Sequence, residues 1–214
     1  MPELHSRDAI LHYEQIGEGP DIVWLAGANW RVNQVPYFTD AYRNTLYQLR
    51  GSGASVALTP PPWSMQDYGA DAVAIIEGVC RPPVILVGHS MGSAMAQEVA
   101  LARPELVRCA ILTGTYARST GFLRDWMAAE IAFARARGRL PLAFAQTHYA
   151  VYDYPAEILG DDTYWSQLRE RIAPGYEARS EADMDAMADL WQACQDFDSL
   201  ERLPQCNVPL HVIA

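Results

Sequence analysis

Not one of the 214 residues is lysine; all 16 basic residues are arginine. This absence removes a Schiff-base lysine, a Ser-Lys dyad and the lysine of a phosphate-binding loop together. Positive charge is scarce altogether, since 26 acids outnumber the arginines and leave a formal charge of −10. Nucleic acid and anionic membranes are bound through basic patches, so neither is expected as a partner. Cysteine is sparse too: Cys80, Cys109, Cys194 and Cys206 show no metal-ligand or redox spacing. Buried thiols in a reducing compartment are expected, and no metal or other cofactor is implied. No apolar run approaches the roughly 20 residues of a membrane span. The opening Met1-Pro2-Glu3-Leu4-His5 has neither the basic flank nor the apolar stretch of a signal peptide. The expectation is a soluble, cytoplasmic protein.

What is present is apolar residue in quantity: 50% of the chain is hydrophobic, enough for one domain with an insertion. Residues 3–16 alternate loosely and end in Gly17-Glu18-Gly19-Pro20, which predicts a hairpin. "DIVWLAG" (21–27) predicts a buried strand, and "NTLYQL" (44–49) another, closed by "RGSGAS" (50–55). Tyr68, Ala72, Ile75, Ile76 and Val79 recur at helical spacing across 65–79, with Asp67 as expected N-cap. "PPVILVG" (82–88) reads as a central parallel strand, 90–104 as a helix stopped by Pro104, and "LVRCAILTG" (106–114) as a further buried strand. Strands and helices alternating over 20–114 predict a parallel α/β sheet. From Tyr116 the pattern becomes helical, near 118–137, 141–152, 162–173 and 181–195, before "VPLHVIA" (208–214) begins a strand. Residues 117–203 hold 9 arginines and 15 acids, hence −6 of the total charge. The expected division is a core of 1–116 with 204–214 and a helical insertion of 117–203.

Gly88-His89-Ser90-Met91-Gly92 has the form G-x-S-x-G, with a strand before it and a helix after it. That context is what a serine on a strained strand-to-helix turn requires, and near such a turn the flanking positions must be nearly bare. Ser90 is the candidate nucleophile. An acyl-transfer site also needs donors for the oxyanion. The N–H of Met91 is the first candidate, aided by the positive end of its helix. The second comes from Gly27-Ala28-Asn29, with Ala28 ahead of Asn29. Trp30 follows that loop and is the candidate substrate-binding residue.

On "IVWLAGAN", "RGSGAS" and "VILVGHSMGSAMAQEVALARPELVRCAILTG" the chain resembles the α/β-hydrolase superfamily, in its small branch of esterases, lactonases, carbon–carbon hydrolases and cofactor-free haloperoxidase-type perhydrolases. The resemblance implies a mostly parallel sheet in which the helical block is the variable cap. Gln48-Leu49 stands before Arg50 where relatives usually carry an aspartate, which predicts local repacking. A serine at the turn disfavours epoxide hydrolase and haloalkane dehalogenase chemistry, which use an aspartate there.

The family order is serine, then acid, then histidine. The acid usually follows the strand that begins here at Leu210, and the histidine comes one strand later. His5 and His12 lie in the hairpin, His89 within the turn, His148 in the cap and His211 in the last strand. None is at the family's general-base position, and Gly114–Arg118 offers no carboxylate as an alternative acid. The expectation is therefore a chain that lacks its last strand and helix, with acid and histidine beyond Ala214. A chain complete at 214 would leave Ser90 without a base and an open sheet edge inviting a homodimer or another strand. The expected reaction is hydrolysis of an ester, lactone or thioester through acyl-Ser90, on a small apolar acyl compound. Carbon–carbon hydrolysis or perhydrolysis is the alternative on the same site. A binding protein or inactive fragment is the alternative outside enzymes.

Overall fold

A hairpin opens the chain: β1 (Glu3–His5) and β2 (Ala9–Ile16) pair antiparallel. β3 (Asp21–Leu25), β4 (Arg43–Tyr47) and a two-residue β5 (Val56–Ala57) come next. Then α1 (Met65–Val79), β6 (Val84–His89), α2 (Met91–Ala102) and β7 (Val107–Thr113) alternate. The helices α3 (Gly121–Arg135), α4 (Leu142–Asp153), α5 (Ala156–Leu159), α6 (Asp162–Glu177) and α7 (Glu181–Asp196) precede β8 (Leu210–Ile213). This is a computed structural model, and it describes residues 1–26 and 33–213.

The sheet order is β1-β2-β4-β3-β6-β7-β8, with β5 on β2. Every pairing from β4 across to β8 is parallel, and those of β2 are antiparallel. The fold is thus the expected α/β sheet, mostly parallel. The short β5 and α5 were not expected from sequence; two and four residues carry too little periodicity to register. All five residues of β3 are buried, because both faces of the sheet are covered. Side-chain alternation sorts the strands onto two faces: Ile22, Trp24 and Val87 form one cluster, while Val23, Leu25, Val84 and Leu86 join Tyr68, Ile76, Met95 and Val99 of α1 and α2 in the main core.

One local expectation is corrected. The N-cap of α1 is Ser64, whose hydroxyl accepts from the Asp67 N–H, while the Asp67 carboxylate accepts from the Ser64 N–H. Asp67 is the other half of this reciprocal cap, at the third helical position. Gln48 accepts the Ala54 N–H at 2.7 Å and so ties down the turn after β4. Arg50 beside it makes a bidentate pair with Asp71 of α1, at 2.7 and 2.8 Å, both side chains buried. Burial opposes the guanidinium's charge, but the hydrogen bonds and charge of Asp71 outweigh it and raise the Arg50 pKa.

The chain divides into two compact units, residues 1–130 with 189–214, and residues 131–188. The boundaries fall inside α3 and α7, not at the helical block's ends. The reason is packing: Met127, Ala193, Cys194 and Phe197 belong to the main core cluster. Among the described residues no helix is long and apolar enough to cross a membrane.

Candidate active site

β6 lies between β3 and β7, with Gly88 in register with Leu25 and Leu112 and His89 with Thr113. The chain then turns at Ser90, whose φ of 51° and ψ of −116° are left-handed for a non-glycine residue. Such a conformation costs about 1–3 kcal/mol and persists where the surroundings over-determine it. Those surroundings explain the two glycines. A Cβ on Gly88 would run into the carbonyl of Gly92, and a Cβ on Gly92 into the carbonyl of Leu25. Each glycine is thus a steric requirement of bringing α2 hard against β6 and β3.

Ser90 stands at the N-cap of α2, where a serine ordinarily turns its hydroxyl back to accept an amide of the first turn. It does not do so here. The Ser93 amide and hydroxyl both donate to the Ser90 carbonyl instead. The Ser90 N–H donates to the Thr113 carbonyl at 2.9 Å. The side chain is left exposed, and among the described residues its hydroxyl has no hydrogen-bond partner. The amides of Met91 and Gly92 likewise find no acceptor among the described residues. The unspent N–H of Met91 and the positive end of the 12-residue α2 thus meet at the exposed serine.

Of the residues singled out from sequence, Ser90 and Met91 come together in this way. Ala28, Asn29 and Trp30 lie outside the described residues. Ala26, just before them, takes φ 42° as the chain leaves β3. The histidines divide as follows. His5 and His12 flank Glu3 at 3.0 and 3.7 Å in the hairpin. His148 stacks on Phe144, and His211 is exposed on β8. His89 sits beside Ser90 with Nδ1 2.9 Å from the Thr113 hydroxyl. Burial pushes the Cys80 thiol up to about 11 and the Cys194 thiol up to about 12, so neither supplies a competing thiolate. Among the described residues, no group of His, Cys, Asp and Glu side chains could hold a metal ion.

Several polar residues that tie α2 to its neighbours had no sequence signal. Gln97 and Glu98, both buried in α2, reach the segments that leave and return from the helical block. Gln97 donates to the Thr115 hydroxyl and the Tyr116 carbonyl at 2.9 and 3.0 Å, and accepts from Ser199 at 2.6 Å. Glu98 receives Arg202 at 2.8 Å and Gln66 at 2.9 Å. The arginine side chains 135, 137 and 139 are exposed but engaged: Arg137 forks onto Asp185 at 2.7 and 2.8 Å, and Arg139 donates to the Arg179 carbonyl.

The sequence profile described as "Alpha/beta hydrolase family" matches residues 22–214. The (E)-2-((N-methylformamido)methylene)succinate hydrolase of Acinetobacter baylyi is 34% identical over 119 residues, 53% of this chain and 45% of that protein. The 3-oxoadipate enol-lactonase 2 of the same organism is 27% identical, over 100% of this chain and 80% of its own length. The solved structure of Rv0554 from Mycobacterium tuberculosis superposes with a TM-score of 0.80 at 26% identity, covering 95% of this chain and 74% of that one. Against some curated relatives the chain spans only about half their length, 45% of one and 60% of another.

Proposed function

Because the chain belongs to the alpha/beta hydrolase family, we propose that it is a hydrolase whose nucleophile is Ser90 and whose substrate is an ester, lactone or thioester. One observation carries the reading: an exposed serine at φ 51°, on the first turn of a helix, that forgoes the cap its position invites. Nothing in the stability of α2 asks for that arrangement. It leaves the hydroxyl free to attack a carbonyl, with the Met91 N–H alongside to receive the charge that develops on the carbonyl oxygen. The likeness over the whole chain to an enol-lactonase supports a cyclic or open-chain ester.

The step is an acyl transfer. The Ser90 oxygen bonds to the carbonyl carbon, and the hydroxyl proton passes to a base. The oxyanion collapses to acyl-Ser90 with loss of the alcohol, enol or thiol, and water then releases the acid. In this reading Ala28 supplies the second oxyanion N–H and Trp30 borders the acyl group. A fluorophosphonate probe applied to the full-length protein tests it. Covalent labelling that is lost in Ser90→Ala is expected; an intact wild-type protein that takes no label overturns the reading.

A further inference from the structure

A strained turn delivers its nucleophile reproducibly only where both flanking peptide groups are held. The carbonyl of Ser90 is held from within α2, by Ser93. Its N–H is held from the neighbouring strand, by the Thr113 carbonyl. Thr113 does more than this. It lies opposite His89 in the β6–β7 register, and its hydroxyl is 2.9 Å from His89 Nδ1 and 3.4 Å from the Gly88 carbonyl oxygen. One residue thus contacts positions 88, 89 and 90, the three that lead the chain into the turn. Gly114 leaves room beside the imidazole, since an added Cβ there would stand 3.2 Å from His89 Cε1. The ring immediately before the nucleophile is therefore held by the Thr113 hydroxyl, in space that a bare α-carbon leaves open.

We infer that Thr113 is a positioning residue for Ser90, its hydroxyl seating His89 and so setting the direction in which the chain presents the serine. The inference rests on Ser90 being the nucleophile. Valine has nearly the shape of threonine and keeps the strand's backbone bonds, including that to the Ser90 N–H, but cannot hold the ring. Acyl transfer is sensitive to displacements well below the size of an atom, whereas binding the acyl group is not. Loss of the hydroxyl must then act on the rate of the chemical step and leave affinity alone.

The test compares fluorophosphonate labelling of the full-length wild type, Thr113→Val, Thr113→Ser and Ser90→Ala, with the imidazole ¹⁵N resonances of His89 followed in the same proteins. For Thr113→Val the maximal labelling rate is expected to fall about tenfold or more, with the half-saturating probe concentration unchanged. The His89 Nδ1 resonance shifts in that variant, and Thr113→Ser restores both rate and resonance. Should Thr113→Val not fold, Thr113→Ala removes the same hydroxyl. Wild-type labelling rate in the hydroxyl-free variant, a serine variant as slow as the valine one, or an unmoved Nδ1 resonance each overturns the role of Thr113 while Ser90 stands. A wild type that takes no label overturns both.

Discussion

In the unit of residues 1–130 and 189–214, one apolar cluster runs from Val23 and Leu25 through Leu86, Met95 and Val99 to Phe197 and Val208. Among the described residues of 131–188, Ala134, Met184 and Ala188, with Met187 packed against them, form a small cluster of their own. Their helices are joined by other means. The Arg179 guanidinium lies 5.4 Å over the Tyr149 ring and 5.2 Å over that of Tyr176, and Arg169 lies 5.7 Å over Trp165. The Tyr176 hydroxyl accepts the Leu140 N–H at 2.7 Å and donates to the Leu140 carbonyl at 3.0 Å. A chain without lysine has only guanidinium groups for such work, and they suit it, being planar and weakly hydrated. The first unit is held by what it excludes from water; the second relies on contacts that stay near water.

The sharpest way to break this comparison is to open a hole in the first unit. Leu86 is fully buried at the centre of the sheet, on the face that packs α1 and α2. Leu86→Ala is expected to cost about 2–5 kcal/mol, read as a lowered midpoint in urea unfolding. A cost below about 1 kcal/mol would mean that the central strand is not where this unit keeps its stability.

A smaller effect, and a more discriminating one, is expected from Arg179→Lys. The charge stays and the planar stack over two tyrosines goes, for a loss of about 0.5–1 kcal/mol. Amide exchange should quicken around residues 140–176 while residues 84–113 keep their protection. Equal quickening in both stretches would show that the two units do not owe their stability to separate contacts.

The same contrast explains what the sequence made legible. Apolar residues at strand and helix spacing point to buried faces, so the sheet, α1 and α2 could be read directly. The turn at Ser90 could be read as well, because the bare positions 88 and 92 are a steric need that only glycine meets. For the cap of α1 the sequence points to Asp67 where the structure has Ser64, since each bonds the other's backbone and either pattern alone suits an N-cap. Gln97 and Ser199 meet across 102 positions, and Thr113 meets His89 across 24. Polar pairs at such separations leave no periodic trace. In the helical unit Arg137 is exposed and Arg179 half-buried; that one forks and the other stacks depends on rotamers that composition does not encode.

The weakest of these contacts can still be separated by pH. Asp185 is half-buried, and the hydrogen bonds from Arg137, with the charges of Arg137 and Arg135 adding to them, hold its carboxyl below the ordinary 3.8. A carboxyl whose folded pKa is depressed gives up its proton more readily folded than unfolded. Its contribution to stability is therefore fully present above about pH 3.8 and is lost as pH falls through the lower folded value. Arg137→Gln removes the cause. Unfolding free energy measured from pH 6 downward should show the wild type above the variant at the upper end, with the two curves converging in acid. The gap should narrow in high salt too, since both side chains are open to solvent. Curves that run parallel through that range would show that the fork on Asp185 adds nothing to the helical unit, and that stacking on Tyr149 and Tyr176 carries it.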